Sequence, residues 1–297
     1  MRVFVTGATG NIGSAVVKDL LAAGHQVVGL SRSKEKAATL AATGAEVRLG
    51  TLEDLDGLKT AAASADAVIH LAFNHDFSRF KANCEDDRAV INALGLGLAG
   101  SSRPLVVTSG TPIANSIPGE PAREGNPIIS AERHPRAATE EAALAAAALG
   151  CNVSVVRLPQ VHDPYKQGLI TYLIATAREK GVSAYVGDGQ SRWAAVHRLD
   201  AARVYRLALE KGAAGAKYHA VGEEGVSLRA IAESVGRGLK LPVVSKTAEE
   251  AAAHFGWMAM FLSGDCPVSS ALTQQELGWK LSGQPSLIED LDEAEFA

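Results

Sequence analysis

Three glycines, each separated from the next by two residues, follow the first apolar run of the chain in the stretch VTGATGNIGSAVV. The run before them, Arg2–Thr6, is β-prone, and the segment after them has helical periodicity and stops at a glycine. In such a context Gly7 permits a tight turn, Gly10 lets the backbone approach a phosphate, and Gly13 lets the helix pack closely on the strand. The stretch therefore predicts a turn that binds pyrophosphate at a helix N-terminus, against the alternative of a glycine-rich turn without a ligand.

The first half of the chain alternates short apolar runs with helix-like segments. The runs RVFVTG, HQVVGLSR, AEVRLG, ADAVIHLAF, PLVVTSG and NVSVVRLP are rich in Val, Ile and Leu, as expected for strands that are covered on both faces. Alternation of strand and helix predicts parallel pairing through right-handed crossovers. We therefore expect an α/β fold of the Rossmann type, a doubly wound parallel sheet that binds its ligand at the carboxyl ends of the strands.

The rhythm of strands and helices changes after Pro159. The segments VSLRAIAESVGRGL, TAEEAAAHFGWM and SSALTQQELGW predict helices of a smaller C-terminal lobe. We expect residues 1–160, together with a helix at 199–212, to form the dinucleotide-binding domain. Residues 161–297 are then mainly a substrate-binding lobe.

The end of the second predicted strand indicates which dinucleotide binds. An NAD site usually has an Asp or Glu there, which accepts hydrogen bonds from the ribose 2′-hydroxyl. This chain has Ser31, Arg32 and Ser33 instead. Because a guanidinium binds phosphate through two hydrogen bonds, and hydroxyls add donors, we predict NADP(H). The alternative is that Arg32 is an ordinary solvated charge.

Composition argues against several other classes of protein. The formal net charge of −4 gives no electrostatic reason to expect nucleic acid or a membrane surface as a partner. Cys84, Cys151 and Cys266 are widely spaced, so we expect reduced thiols, no disulfide framework and no metal. We see neither a signal peptide nor an apolar run long enough to span a bilayer. We expect a cytoplasmic protein that acts on a small molecule.

Six motifs occur in an order that resembles the extended and atypical short-chain dehydrogenase/reductases, which include the NAD-dependent epimerase/dehydratase group. They are VTGATGNIG, ADAVIHLAF, PLVVTSG, VSVVRLP, VHRLDAARVY and SSALTQQELGW, and the resemblance covers nearly the whole chain. It implies a catalytic set of Ser, Tyr, Lys and Asn, and a homodimer that pairs through the fourth and fifth helices. The cofactor contacts that we expect are Gly7, Thr9, Gly10, Asn11, Ile12, Gly13, Ser31, Arg32, Ser33, Leu52, Leu71, Ala72, Arg136 and Pro159.

The Tyr and Lys that the resemblance implies are missing from the place expected for them, the stretch SAERHPRAATEEAAL at 130–144, in which an Ala-rich helix is predicted from about Arg136. Alignment on Glu140, counting back from Arg157, places the Tyr position at Glu132 and the Lys position at Arg136. A shift of four residues gives Arg136 and Glu140 instead. Arg136 can hold the nicotinamide ribose in place of lysine, but a guanidinium does not donate its proton near neutrality.

The other two members of the catalytic set have two candidates each. Ser109, or Thr111 just beyond it, follows the fifth strand at the place of the family serine. Asn83 or Asp87, in the helix before that strand, corresponds to the family asparagine. Sequence spacing leaves both pairs open.

A carbonyl reduction needs a proton donor within hydrogen-bond reach and with a pKa near the working pH. His162 follows the sixth strand and suits this role, because histidine titrates near neutrality; its alternative is a structural role. Tyr165 lies three residues further, and Asp87 could orient either one or donate a proton itself if it is desolvated. We expect His70 and His197 to be structural or to line the cofactor.

These observations predict an NADP(H)-dependent oxidoreductase that reduces a small ketone, aldehyde or imine with a non-standard proton donor. An imine needs less help from an acid, because it can arrive already protonated. One alternative is a nucleotide-sugar-type epimerase or dehydratase, which would also need a base. The other is an NADP(H)-binding sensor or regulator without turnover, for which intact glycines and a missing Tyr and Lys are expected.

Overall fold

A computed structural model of the chain describes residues 1–114, 117, 119–262 and 264–294. A seven-stranded sheet lies at its centre, with every pair of neighbouring strands parallel. In spatial order the strands are β10 (Lys217–His219), β6 (Asn152–Leu158), β5 (Pro104–Gly110), β4 (Ala67–His70), β1 (Arg2–Thr6), β2 (Gln26–Ser31) and β3 (Glu46–Leu49). The strand order changes direction between the neighbouring strands β1 and β4, numbered along the chain. Such folds bind their ligands at this point.

Helices cover both faces of this sheet, so the predicted doubly wound fold is confirmed. Strand side chains alternate between the two layers: Val3 and Val5 belong to one buried cluster and Phe4 to the other. The first layer contains α1 (Asn11–Ala22), α2 (Lys34–Ala41) and α7 (Arg198–Lys211), and the second contains α3 (Leu55–Ala63), α4 (Phe80–Leu98) and α5 (Ala138–Ala148).

The C-terminal lobe is a second, smaller unit with its own core around Trp193, Phe255 and Leu287. Two of the three helices that the sequence predicts for it are present there. Its helices are α6 (Ile170–Lys180), α8 (Leu228–Leu239), α9 (Ala248–Phe255), α10 (Ala259–Leu262) and α12 (Leu287–Glu293). Its strands are β7 (Gln160–His162), β9 (Arg192–His197) and β11 (Glu223–Ser227) in one sheet, and β8 (Ser183–Val186) and β12 (Val243–Lys246) in another.

The third predicted helix of the lobe, α11 (Ala271–Leu277), lies elsewhere. It contacts α7 and β10, and the nearby Trp279 is buried in the core of the main sheet with Nε1 donating to the Asp200 carbonyl at 3.1 Å. Its placement in the lobe was therefore wrong: Leu277 and Trp279 bury their apolar surface in the same core cluster as α7. The strand β10 also belongs to the main sheet, although it follows residue 160 in the chain.

Short 3-10 turns occur at Phe77–Arg79, Thr111–Ile113, Pro135–Ala137 and Gly256–Met258. The first and third of these flank the carboxyl ends of β4 and β5, and the last belongs to the lobe. Within the described ranges, no helix combines the length and the apolar character needed to cross a membrane.

Candidate active site

The glycine-rich turn joins β1 to α1. Gly7 has a φ of +69°, which favours glycine, and a Cβ there would lie 2.7 Å from the backbone nitrogen of Ala72. A Cβ on Gly13 would lie 2.0 Å from the Gly7 carbonyl oxygen, so α1 can begin this close to β1 only with glycine. Gly10 is the N-cap and provides no side chain to cap the helix, which leaves the first N–H groups for an anion. The glycine-rich turn and the N-terminus of α1 therefore fit the pyrophosphate of a dinucleotide.

The other residues expected to contact the cofactor near this turn lie beyond the carboxyl ends of strands. Leu71 and Ala72 follow β4, and their N–H groups donate to Thr6 Oγ1 at 3.2 and 3.3 Å. Asn11 Oδ1 accepts a hydrogen bond from Arg198 Nη1 at 3.2 Å. The expected contacts Thr9, Asn11, Ile12, Leu52, Leu71, Ala72 and Pro159 are all half-buried.

The loop after β2 contains Arg32 and no carboxylate between Ser31 and Ser33. Ser31 Oγ donates to the Ser33 carbonyl at 3.0 Å, and Ser33 Oγ caps α2 by accepting from the Lys36 N–H at 3.2 Å. The two hydroxyls therefore shape the loop, while Arg32 is exposed. An exposed guanidinium beside a helix N-terminus is suited to bind a phosphate group.

A buried polar chain connects the glycine-rich turn to the centre of the candidate site. Thr6 Oγ1 lies 2.6 Å from His70 Nδ1, and His70 Nε2 lies 2.9 Å from Asp87 Oδ1. Because Thr6 Oγ1 already accepts two backbone N–H groups, its proton points to Nδ1, and His70 donates to Asp87 through Nε2. Asp87 also accepts from Arg136 Nη1 at 2.6 Å and from Thr139 Oγ1. Burial raises the pKa of Asp87, but Arg136 and His70 outweigh it and hold this pKa well below its usual range.

Arg136 lies where the resemblance places the lysine. Its Nη2 donates to the Thr108 carbonyl at the end of β5 at 2.8 Å, and its guanidinium carbon lies 4.1 Å from the centroid of the Phe73 ring. Among the described residues, Nε–H and the second proton on Nη2 have no hydrogen-bond partner. A fixed cation at the edge of β4 and β5 can hold a ribose hydroxyl or stabilise negative charge on a substrate oxygen.

The stretch 130–144 is only partly helical. The helix α5 begins at Ala138, after a 3-10 turn that starts at Pro135. The helix predicted from about Arg136 is confirmed to within two residues, but Glu132 does not belong to it, because proline disfavours helical backbone before it, and His134 is extended with φ −140° and ψ 104°. Glu132, at the Tyr position, is therefore exposed on a turn and does not share a helix face with the Lys position.

Glu140 and Arg157 form a fully buried ion pair that joins α5 to β6. The two hydrogen bonds measure 2.7 and 2.9 Å, and Arg157 Nη1 also lies 3.1 Å from His219 Nε2. The pair fixes the rotation of α5 about its axis. This geometry supports the alignment in which Arg136, four residues before Glu140, takes the Lys position.

His162 and Tyr165 are placed differently from the cleft-lining loop that we expected. His162 lies in β7, is fully buried, and has its Nδ1 2.6 Å from Asp290 of α12; burial lowers its pKa to about 4. Tyr165 is 89% exposed on a turn in which its N–H donates to Asp163 Oδ1 at 2.9 Å. The proton-donor role of either residue stays a prediction, and one that this placement does not support.

Ser109 and Thr111 are both buried after β5. Ser109 Oγ has no hydrogen-bond partner within the described ranges. Because buried hydroxyls are normally hydrogen-bonded, an unused one next to the Thr108 carbonyl that Arg136 contacts is suited to bind a substrate oxygen.

Asn83 and Asp87, the two candidates for the asparagine position, differ in what they contact. Asn83 Nδ2 donates to the carbonyls of Asn74 at 3.2 Å and Asp76 at 2.7 Å, so this side chain holds the loop after β4. Asp87 alone of the two contacts Arg136, and it is ionised. Asp87 is therefore placed to position Arg136, and this placement does not support its predicted role as a proton donor.

Sequence reasoning missed His75, which follows β4 at the same edge of the sheet. Its exposed ring lies edge-on to Phe73 at 5.3 Å between centroids. The surrounding protein, together with the charges of Arg136 and Lys166, lowers the pKa of this imidazole. The loop has no periodicity to mark it, and its position just after a strand end was the available signal.

Comparison with known proteins gives three findings. The profile of the NAD dependent epimerase/dehydratase family matches residues 3–222. Uncharacterized protein C2A9.02 of Schizosaccharomyces pombe is 49% identical over 284 residues, which cover 94% of this chain and 95% of that protein. The 4-hydroxy-2-methyl-3-oxo-4-farnesyl-3,4-dihydroquinoline-1-oxide ketoreductase of Stigmatella aurantiaca is 28% identical over 283 residues, which cover 90% of this chain and 84% of that one.

A solved structure shares the whole fold. DesIV, a dTDP-glucose 4,6-dehydratase from Streptomyces venezuelae crystallised with NAD and TYD bound, matches with a TM-score of 0.79 at 22% identity. The match covers 99% of this chain and 96% of DesIV. At this level of identity the likeness shows the fold alone.

Proposed function

Because the chain belongs to the NAD dependent epimerase/dehydratase family, we propose that it is an NADP(H)-dependent oxidoreductase that reduces a carbonyl group. The observation that carries this proposal is the fixed guanidinium of Arg136 at the carboxyl edge of β4 and β5, with two N–H groups left for a ligand. The Stigmatella aurantiaca relative is a ketoreductase, which supports reduction over epimerisation.

The preference for NADP(H) is supported by the loop after β2. Arg32 is exposed there, and its two neighbours in the chain are serines instead of the carboxylate typical of an NAD site. A carboxylate would bind a ribose 2′-hydroxyl but repel a 2′-phosphate, whereas Arg32 attracts the phosphate.

The residues around Arg136 favour a carbonyl over an imine. A bound nicotinamide supplies the hydride, and negative charge then develops on the substrate oxygen. Arg136 and the unused hydroxyl of Ser109 can donate hydrogen bonds to that oxygen. The positive charges of Arg136 and Lys166 would repel a protonated imine. We assign proton delivery to solvent at the open edge of the site, where His75 is exposed.

Dissociation constants for NADP⁺ and NAD⁺ test the cofactor. The wild-type chain should prefer NADP⁺, and Arg32→Ser should weaken NADP⁺ binding roughly 10- to 100-fold, as expected for a hydrogen bond to a charged group. Lys34→Ser, which removes a neighbouring exposed cation, is the matched control. A wild-type preference for NAD⁺ would overturn this part of the proposal. NADPH oxidation above buffer with a panel of ketones and aldehydes tests the reaction.

A second candidate function, NADP(H) binding without turnover, is favoured by one observation. None of the three expected acids is placed to donate a proton: Asp87 is ionised, His162 is buried against Asp290, and Tyr165 is exposed on a turn. For this function we expect the cofactor to raise the melting temperature while every carbonyl in the panel leaves NADPH unchanged.

A further inference from the structure

Four aromatic rings form a box between the strand ends and the C-terminal lobe. Phe77 and Trp257 lie face to face, with centroids 4.5 Å apart and planes within 14° of each other. Tyr172 and Phe261 stand edge-on to both of them, with interplanar angles between 72° and 88°. We call Phe77, Trp257, Tyr172 and Phe261 the aromatic box. At this separation the Phe77 and Trp257 rings are in van der Waals contact, so a ligand ring can enter between them only after one of them moves.

The aromatic box is less buried than the apolar core. Trp257 is 42% exposed and Tyr172 is 39% exposed, whereas Trp193 and Trp279 are 4% and 1% exposed. Exposed aromatic surface grouped in one place indicates a binding site more often than a structural core. Trp257 also follows Gly256, which has a φ of +56°, and a Cβ at Gly256 would meet no atom within 4 Å. The glycine gives the backbone next to Trp257 conformational freedom, and this freedom lets the exposed Trp257 ring move away from Phe77.

Two further rings connect the aromatic box to Arg136. The Phe80 ring lies 5.7 Å from Phe77 and 6.4 Å from Phe73, and Phe73 lies under the Arg136 guanidinium. Phe73 and Phe80 therefore form an aromatic wall that runs from Arg136 to the box.

The charges near the site favour a neutral ligand. A nucleoside diphosphate needs several charge-assisted donors. Arg136 has two N–H groups left for a ligand, but Asp87 balances its charge, and three arginines of the lobe are also paired. A cationic group is disfavoured by Arg136 and Lys166, whose charges already lower the pKa of His75. The lobe pairs are Arg192 with Asp265 at 2.7 Å, Arg229 with Glu233 at 2.8 Å, and Arg237 with Asp292 at 2.7 Å.

We propose that the substrate carries a planar, apolar ring joined to its carbonyl by a linker that follows this aromatic wall, and that the ring enters between Phe77 and Trp257 when the Trp257 ring moves. The proposal rests on the carbonyl reduction proposed above and names the substrate class of the same site. The parallel faces select for flatness, because a saturated ring is too thick to stack on both sides.

Two ketones with the same carbon skeleton test the proposal. 4-Phenylbutan-2-one has a flat ring, whereas 4-cyclohexylbutan-2-one has a thicker and more hydrophobic one. We would measure their dissociation constants by titration calorimetry on protein saturated with oxidised cofactor, so that no turnover is needed. We expect the phenyl ketone to bind about tenfold more tightly. Trp257→Ala should remove this preference, and Trp257→Phe should retain most of it. Leu272→Ala, which truncates a similarly exposed side chain outside the box, is the matched control.

Equal binding of the two ketones would overturn the proposal, as would tighter binding of the phenyl ketone to Trp257→Ala. Competition by tetramethylammonium would also overturn it, because it would identify the box as a cation site. The phenyl ketone could bind in a way that depends on Trp257 while no carbonyl compound causes NADPH oxidation. That result would contradict the proposed reaction and leave this inference standing. Reduction of both ketones with equal kcat/KM would support the proposed reaction and overturn this inference.

Discussion

A lysine at position 136 would keep the positive charge of the site but not the geometry of the guanidinium. Arg136 bridges Asp87 and the Thr108 carbonyl while its flat face covers Phe73, and an ammonium group cannot do all three. We expect Arg136→Lys to lower kcat for the best carbonyl substrate about 100-fold, the usual cost of losing one preorganised donor. The melting temperature should change little, because Asp87 keeps a cationic partner.

Steady-state kinetics and thermal unfolding of the same preparations would check this prediction. Arg133→Lys changes an exposed neighbour and should leave kcat unchanged. An Arg136→Lys variant with wild-type kcat would show that the guanidinium does not act on the substrate oxygen.

At the scale of single residues, the sequence predicted what depends on local spacing. The structure assigns Gly7 the tight turn and Gly13 the close helix packing that their spacing predicts, because both features lie within one strand–turn–helix unit. The network around Asp87 was not predictable in the same way. His70 and Arg136 are 17 and 49 residues from Asp87 in the chain, and only the finished sheet brings them together.

The contact between α12 and β7 contains a buried pair, His162 and Asp290. The effects of their two pKa shifts on the pH dependence of stability cancel. Burial lowers the pKa of His162 from 6.5 to about 4 and raises the pKa of Asp290 from 3.8 to about 6. Between about pH 4 and 6 the folded pair therefore holds one proton, on Asp290. The unfolded pair also holds one proton, on His162. The pair then contributes no pH dependence to the free energy of unfolding in this window.

When either partner is removed, the free energy of unfolding should change with pH. The two variants should show slopes of opposite sign. In His162→Gln, Asp290 is protonated only in the folded chain, so the free energy of unfolding should fall as the pH rises from 4 to 6. In Asp290→Asn, His162 is protonated only in the unfolded chain, so stability should rise from pH 4 to 6.5. Each slope should approach about 1.4 kcal/mol per pH unit relative to wild type. Urea unfolding across this range would measure them, and slopes of the same sign would contradict the assignment.

At the scale of elements, long buried strands were predicted better than short ones. The six strands from β1 to β6 were visible as runs of Val, Ile and Leu. The three residues of β10, Lys217–His219, do not form such a run, and their place beside β6 depends on a tertiary contact. The start of α5 was predictable from one residue, Pro135, which disfavours helical backbone before it, and from the helix propensity of the alanines that follow.

At the scale of the whole molecule, α4 and α5 leave large apolar side chains on the surface. Leu96 of α4 is 50% exposed and Leu144 of α5 is 59% exposed, while Arg88 and Glu141 join the two helices at 2.7 Å. We propose that two copies pair through these helices. Leu144→Glu should then convert a dimer into a monomer in sedimentation velocity at micromolar concentration, because the new carboxylate would be buried without a partner. Leu281→Glu, at a leucine that is 51% exposed elsewhere, should leave the dimer intact. A monomeric wild-type chain, or a dimer that survives Leu144→Glu, would contradict this pairing.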